Sequence, residues 1–316
     1  MNAAIVTGAT GFIGSTFVEY LINQGIKVLA LGRKEFHNIN KARRIKLKGA
    51  EYLNINMDSI KLLPSRIESI DWDLGNECVF FNLAWHGEQR LSDLNVEAQL
   101  LNVSYSIDAI TIANTLGCSR FIQIGTMEEA FTEKYLDLDH NIDSFYNRHV
   151  IYSVAKLSAK NALQIKASQL KIDLIYVLHS HVMGPDDDKD SFLQMTLLKL
   201  INGDDLIFSS GEQYFDVISL NDCALGYFLV CMKGVPGKTY WVGSGKPQRL
   251  RNYVERMYNL YPSNKRMQFG KLPYNDIVLK KSDFSIAALV EDTGFTPKLS
   301  YEETVNELHS HLISLI

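Results

Sequence analysis

Tyr152 and Lys156, in the run Tyr152-Ser153-Val154-Ala155-Lys156, are the residues best suited to moving a proton in this 316-residue chain. A spacing of four puts both side chains on one face of a helix, one turn apart. A free phenol, with a pKa of ~10, is a poor base at neutral pH. A neighbouring ammonium stabilises the phenolate, which fits Tyr152 for proton exchange with a substrate hydroxyl or carbonyl. The same pair is also common on exposed helix faces, so its meaning depends on the elements that position it.

The first of those elements is the N-terminal stretch. Ala3-Ala4-Ile5-Val6 is a short apolar run that reads as a buried strand, and it feeds into Thr7-Gly8-Ala9-Thr10-Gly11-Phe12-Ile13-Gly14. Phe12, Ile13, Phe17, Val18, Leu21 and Ile22 then recur at spacings of three and four, a helical pattern. Between strand and helix, Gly8, Gly11 and Gly14 let the backbone turn tightly, approach a diphosphate and pack helix on strand. N–H groups at the helix start face the phosphates, and the helix dipole favours their charge. Gly8, Thr10, Gly11, Phe12, Ile13 and Gly14 are therefore expected to hold a dinucleotide. The alternative is a tight turn in an unrelated α/β protein.

Strands and helices alternate beyond this point. Ile26 to Leu31, Glu51 to Asn56, Cys78 to Ala84, Arg120 to Ile124 and Ile172 to Leu178 read as strands. Helices are expected over about 94–116, ended by Gly117, and about 151–170, and Gly25 is placed to stop the first helix. This alternation implies a parallel sheet with helices on both faces and ligands beyond the strand C-termini. Arg33, His86, Thr126 and His181 fall at or just past such ends, and Asn56 or Asp58 is positioned to meet an adenine edge. NAD-binding units usually place Asp or Glu after the second strand, where it accepts from the ribose hydroxyls. Here Gly32 stands there, followed by Arg33 and Lys34. Arg33 suits a ribose phosphate, which favours NADP(H) over NAD(H). The alternatives are an exposed loop residue or a stack on adenine.

The pattern loosens past His181. Phe192–Leu200 is expected as a helix, Leu206–Phe208 and Phe215–Ile218 as short strands, about 222–232 as a helix and Thr239–Val242 as a strand, with two late helices after it. This last third reads as a smaller lobe over the open end of the sheet.

Composition narrows the function classes. With 46% apolar and 22% charged residues the chain is ordinary globular material, and a net charge of −4 argues against nucleic acid as partner. Lys41 to Lys48 is the one basic cluster, read as a solvated helix face rather than a phosphate site. Cys78, Cys118, Cys223 and Cys231 have no metal spacing and suit buried, reduced thiols in the cytoplasm. No metal is expected, and Asp186-Asp187-Asp188 is read as a solvated loop. The first strand begins at once, so no signal peptide is expected, and no apolar run approaches the ~20 residues of a membrane span.

Taken together, these motifs resemble the extended short-chain dehydrogenase/reductase family, in its NAD(P)-dependent epimerase/dehydratase branch acting on nucleotide sugars. Thr7 to Gly14 matches the family's glycine motif; Asn82-Leu83-Ala84 is similar to its fourth-strand motif and Asn102-Val103 to its helix motif. Gly184-Pro185 matches a turn before the substrate lobe. Gly211 to Asp216 with Asp222 is similar to the segment Gly-x-Gln-x-Arg-Asp, and Thr293 to Lys298 to a C-terminal Gly-x-x-Pro motif.

The resemblance implies a Rossmann-type doubly wound parallel sheet with a mixed α/β C-terminal substrate lobe. The cofactor domain is expected over 1–178 with about 211–242, the lobe over about 179–210 and 243–316. It implies that Thr126 hydrogen-bonds the sugar oxygen changing oxidation state, that Tyr152 exchanges its proton, and that Lys156 reaches the nicotinamide ribose. Leu83 and Ala84 join the cofactor contacts, and the helices over 94–116 and 152–170 are expected to pair in a homodimer. Reduction of a keto-sugar, epimerisation and 4,6-dehydration all use these parts.

Three departures guide the choice. Gly32 replaces the acid usual in NAD-holding epimerases and dehydratases, and Met127 stands where a dehydratase has its proton donor. Phe215 replaces an Arg that grips the substrate diphosphate, and His181 an Asn, leaving Arg249, Lys199 and His181 as candidate anion contacts. Glu128 either contacts substrate or merely opens a helix, and His86 is a polar contact at the nicotinamide end. The expectation is a cytoplasmic NADP(H)-dependent reductase of a nucleotide-linked keto-sugar, with NAD-dependent epimerisation or dehydration as the rival.

Overall fold

The computed structural model describes residues 1–87, 95–136, 150–187, 191–273 and 278–315. Along the first part of the chain run β1 (Ala3–Thr7), α1 (Phe12–Asn23), β2 (Lys27–Gly32), α2 (Lys41–Lys46), β3 (Glu51–Asn54), α3 (Leu63–Ser69) and β4 (Cys78–Asn82). They are followed by α4 (Val96–Thr115), β5 (Arg120–Ile124), α5 (Glu128–Leu136), α6 (Val150–Leu170) and β6 (Asp173–His179). The remainder holds β7 (His181–Met183), α7 (Phe192–Asn202), β8 (Leu206–Ile207), β9 (Tyr214–Phe215), β10 (Val217–Ser219), α8 (Leu220–Lys233) and β11 (Thr239–Val242). It ends with β12 (Gln248–Arg249), α9 (Leu250–Leu260), β13 (Met267–Gln268), α10 (Ala287–Thr293) and α11 (Tyr301–Ile313).

Seven parallel strands form the main sheet in the order β11-β6-β5-β4-β1-β2-β3. The order reverses direction at β1, so the crevice of this doubly wound sheet opens beyond the ends of β1 and β4. Side chains of β1 alternate between two cores, as a period of two requires. Ala4 and Val6 join the layer under α1 and α8, where Phe17 meets Phe81 and Tyr227 edge-on at 4.8 and 5.7 Å. Ala3 and Ile5 face the other layer with Phe80, Phe121, Ile110 and Leu163 beneath α4 and α6.

A third core, with Leu193, Leu197, Val254, Met257, Val305 and Leu308, belongs to α7, α9 and α11. Within the segment 243–316, α9 and α11 pack in this third core, whereas Leu289 and Phe295 pack into the layer under α8. Among the described residues three α-helices, not the expected two, follow β11. The single strand expected over Phe215–Ile218 also divides. Asp216 is fully buried, and its carboxylate accepts from Ser180 Oγ and from the N–H and Oγ of Ser244. A buried carboxylate needs such donors, so the chain breaks step there. β9 pairs antiparallel with β12, and β10 pairs parallel with β7. The first residues expected in the long helix after β4 lie partly outside the described residues, and α4 begins at Val96.

Candidate active site

The glycine turn is built for a ligand that needs bare backbone. Gly8 has φ +66°, and a Cβ there would stand 2.9 Å from Ala84 N. A Cβ on Gly14 would overlap the Gly8 carbonyl, so α1 sits against the turn with no room for any side chain. Gly11 is the N-cap of α1 and supplies no side-chain cap, leaving first-turn N–H groups directed into the crevice. Such a cradle suits a dinucleotide diphosphate.

A buried polar relay fixes the strand ends around it. Thr7 Oγ1 donates to Asn82 Oδ1 at 2.7 Å and accepts from Leu83 N and Ala84 N, both at 3.1 Å. Asn82 Nδ2 passes the chain of bonds on to Gln123 Oε1 at 2.8 Å. Thr7, Asn82 and Gln123 lie on adjacent strands in matching register, so the relay crosses the sheet at the crevice. Beyond it, Asn102 on α4 accepts from His86 N at 2.7 Å and donates to His86 O at 2.9 Å. Asn102 thus holds the turn after β4 in place.

Thr126, Tyr152 and Lys156 line the same ≈ 310 Å³ cleft as the glycine turn. The structure therefore brings the proton-moving pair, 138 positions from Gly14 in Tyr152's case, to the cofactor cradle. Tyr152 and Lys156 are each only 4% exposed. Lys156 Nζ donates to Ile124 O at 3.2 Å and stands 4.2 Å above the Trp85 ring and 5.9 Å from the Tyr152 ring centre. A desolvated ammonium over an aromatic face is held by the ring quadrupole. Trp85 is itself oriented by donating from Nε1 to Gln99 Oε1 at 2.8 Å, and meets Tyr152 edge-on at 6.3 Å.

The sequence over residues 4–243 matches the family described as the NAD dependent epimerase/dehydratase family. The chain belongs to this family. Relatives span its length: it is 25% identical to CDP-abequose synthase of Salmonella typhimurium over 316 residues, 98% of this chain and 97% of that protein. It is 25% identical to dTDP-6-deoxy-L-talose 4-dehydrogenase (NAD(+)) of Aggregatibacter actinomycetemcomitans, covering 82% of this chain and 94% of that one. The fold is similar to UDP-glucose 4-epimerase from Thermotoga maritima with UDP-glucose, at TM-score 0.77, 18% identity and 99% of both chains. It is equally similar to dTDP-glucose 4,6-dehydratase from Bacillus anthracis in complex with NAD, at TM-score 0.77 and 17% identity, covering 99% of this chain and 97% of that one.

Within this family fold, the end of the cleft where β2 stops is cationic. Gly32, Arg33, Lys34, Asn56 and Arg43 all line it. A Cβ on Gly32 would lie 2.6 Å from both Thr10 Cγ2 and the Tyr52 hydroxyl, so a larger side chain there would have to displace these two side chains. Burial and the nearby Glu35 push the Tyr52 phenol up to about 12, so it stays a neutral donor. Arg33 is exposed, with Nη1 3.3 Å from His86 Nδ1. Asn56 accepts from Met57 N and donates to Asp58.

The remaining expected residues are placed less uniformly. His86 lines the cleft, whereas Glu128, His181 and Arg249 are not among its lining residues. Glu128 opens α5, with its N–H 3.5 Å from Thr126 Oγ1. His181 starts β7 and packs at 5.3 Å from the Phe215 ring. Arg249 is half-exposed on β12, ion-paired with Glu212. Lys199 sits on α7.

Five residues in or beside the site carried no functional signal in the sequence. Trp85 and His179 line the cleft near Tyr152 but match no spacing. Arg43 belongs to the basic cluster read as a solvated face, yet it is 7% exposed and donates to Thr10 O at 3.5 Å and Asp186 O at 2.7 Å. Lys46 pairs with Asp186 at 3.0 Å, so α2 docks on the loop after β7. Glu129 lies buried under Thr126, its carboxyl pushed up to about 7 by burial against the pull of Lys156. All four cysteines are buried and free. No helix among the described residues is long and apolar enough to cross a membrane, and no group of potential metal ligands occurs there.

Proposed function

We propose that the protein is an NADP(H)-dependent reductase of a nucleotide-linked keto-sugar of the 4-keto-6-deoxy type, serving deoxysugar or surface-polysaccharide assembly in the cytoplasm. The observation that carries this reading is the end of β2: Gly32 stands where a ribose-binding carboxylate would, and Arg33, Lys34 and Arg43 line the same cleft. A carboxylate would repel a ribose phosphate; guanidinium groups bind one through charge-assisted pairs. Relatives named CDP-abequose synthase and dTDP-6-deoxy-L-talose 4-dehydrogenase support a nucleotide-linked deoxysugar.

The residues then take these roles. Gly8, Gly11 and Gly14 receive the diphosphate, Lys156 the nicotinamide ribose, and the bound nicotinamide supplies hydride. Thr126 Oγ1 hydrogen-bonds the substrate carbonyl oxygen, and Tyr152 donates the proton that this oxygen takes up. Lys156, desolvated and held over Trp85, offsets negative charge as it develops on Tyr152. Met127 follows Thr126 and cannot donate a proton, which favours reduction over dehydration. Exposed Val96, Leu100 and Leu101 on α4 and Ile165 on α6 suit a homodimer through these helices.

A second reading, NAD-holding epimerisation, draws on the NAD(+) in the name of the talose dehydrogenase relative. Heating the purified protein and identifying the released nucleotide separates the two. A reductase releases little, and a one-to-one content of NAD would overturn the proposal.

A further inference from the structure

Glu129 is a carboxylate that neither the motifs nor the family roles account for. It sits on α5 beneath the end of β5, 1% exposed. Its Oε1 accepts from Thr126 N at 2.9 Å, and the Tyr176 hydroxyl on β6 reaches the same oxygen at 3.1 Å. Its Oε2 is buried with no hydrogen-bond partner among the described residues. Leaving one carboxylate oxygen bare inside a protein is costly unless the site uses it. The neighbours are specific. Lys156 and Lys160, both on α6, supply the attractive charges. Gly125 has no side chain, and a Cβ there would strike Oε1, so the backbone is cut away to admit this group. Tyr176 also lies 3.3 Å from the Lys156 carbonyl, joining Glu129 to the turn of α6 that follows Tyr152.

We propose that Glu129 is a positioning residue for the reaction: from under the strand end it fixes Thr126 through the backbone, and it divides the field of Lys156 with Tyr152. This rests on the assignment of Thr126, Tyr152 and Lys156 above, and extends it to a residue that touches neither substrate nor cofactor. Two arguments support it. Thr126 is held not by β5 alone but by the carboxylate three residues on, so hydroxyl placement depends on Glu129. Glu129 feels the charge of Lys156, and the same ammonium stands 5.9 Å from the Tyr152 ring centre, so a negative Glu129 weakens the help it gives the phenol. Burial pushes the carboxyl up to about 7, with Lys156, the Thr126 N–H, Lys160 and the Tyr176 hydroxyl opposing. The group therefore changes charge in the neutral range, and with it the electrostatic setting of Tyr152.

The test uses Glu129→Gln, which keeps an oxygen for Thr126 N and Tyr176 but carries no charge. The first readout needs no substrate: tyrosinate absorbance during alkaline titration, with Tyr152→Phe subtracted to isolate Tyr152. Its midpoint should fall by about one pH unit in Glu129→Gln, since a charge in a buried site acts at that scale. An unchanged midpoint overturns the proposal, and does so whatever reaction the enzyme performs. The second readout is turnover against pH. The wild type should lose roughly three- to tenfold of kcat/KM as pH rises through neutrality, and the variant should keep the higher value throughout. A variant profile with the same decline also overturns it. Should Glu129→Gln fail to fold, Tyr176→Phe serves. It removes a bond that favours the charged carboxylate, so the infrared carbonyl band of the protonated acid should persist to higher pH than in the wild type. A band that titrates identically in both overturns the proposal.

Discussion

Replacing Arg33 with Ala should separate the two nicotinamide cofactors. Arg33 is exposed, and among the described residues its guanidinium gives up the His86 ring nitrogen at 3.3 Å on turning to a ribose phosphate. A hydrogen bond to a charged group contributes about 1.5–3 kcal/mol. At 1.4 kcal/mol per tenfold, that corresponds to a rise of about 10- to 100-fold in Kd for NADPH. Lys34 and Arg43 line the same end and retain part of the attraction, so the lower half of that range is expected. The Kd for NADH should change by less than about twofold, because the ribose hydroxyl offers the guanidinium no charge. Fluorescence titration of both cofactors at one fixed ionic strength measures this, since exposed charges are screened by salt. Gly32→Asp is the companion variant. Its Cβ would meet Thr10 and Tyr52 at 2.6 Å, so it should weaken both cofactors rather than convert the enzyme to NADH. An equal loss for both cofactors in Arg33→Ala, or no loss for NADPH, refutes the reasoning.

Three other outcomes follow from the geometry. Tyr152→Phe keeps the ring that packs edge-on to Trp85 but removes the proton, so turnover should fall by about 10²–10⁴-fold while cofactor affinity, read by the same titration, stays within about twofold. Asn102→Ala strips the His86 N–H of its buried acceptor and should cost about 2–3 kcal/mol in denaturant unfolding; a loss below about 0.5 kcal/mol would mean that the turn after β4 is held by other contacts. Glu129 gives stability a pH dependence of definite sign. Its carboxyl is raised from 4.5 unfolded to about 7 folded, so its contribution is complete below the lower value and is lost as pH rises to the upper one. The loss is about 3 kcal/mol at most, and Glu129→Gln should flatten the slope of unfolding free energy between those pH values; an identical slope in both proteins would contradict the burial argument.

What the sequence discloses is what is local in the chain. The glycine turn is legible because strand, turn and helix are consecutive, and the steric demand on Gly14 comes from Gly8 within the same turn, although the demand on Gly8 comes from Ala84 on the neighbouring strand end. Tyr152 and Lys156 are legible because the helix itself sets their spacing. Arg43 is not, since a basic run on a short helix reads as solvated until α2 is seen docked on the glycine turn and the loop after β7. Glu129 matches no motif in the sequence, and the burial of α5 beside β5 and β6 gives it a role. Asp216 misled the pattern most directly. An apolar run around it suggests one strand, whereas three donors gathered from Ser180 and Ser244 split that strand in two. Periodicity reports which face is apolar; it does not report which polar group the fold will bury and satisfy.

The most direct test of the account is a single incubation. The purified enzyme is mixed with NADPH and a CDP- or dTDP-linked 4-keto-6-deoxy sugar, and nicotinamide oxidation is followed alongside the sugar product. The account predicts one NADPH consumed per hydroxyl formed at the former carbonyl, with the reaction lost in Tyr152→Phe. Interconversion of nucleotide sugars with no net consumption of added cofactor, by a protein that retains NAD through purification, would contradict it.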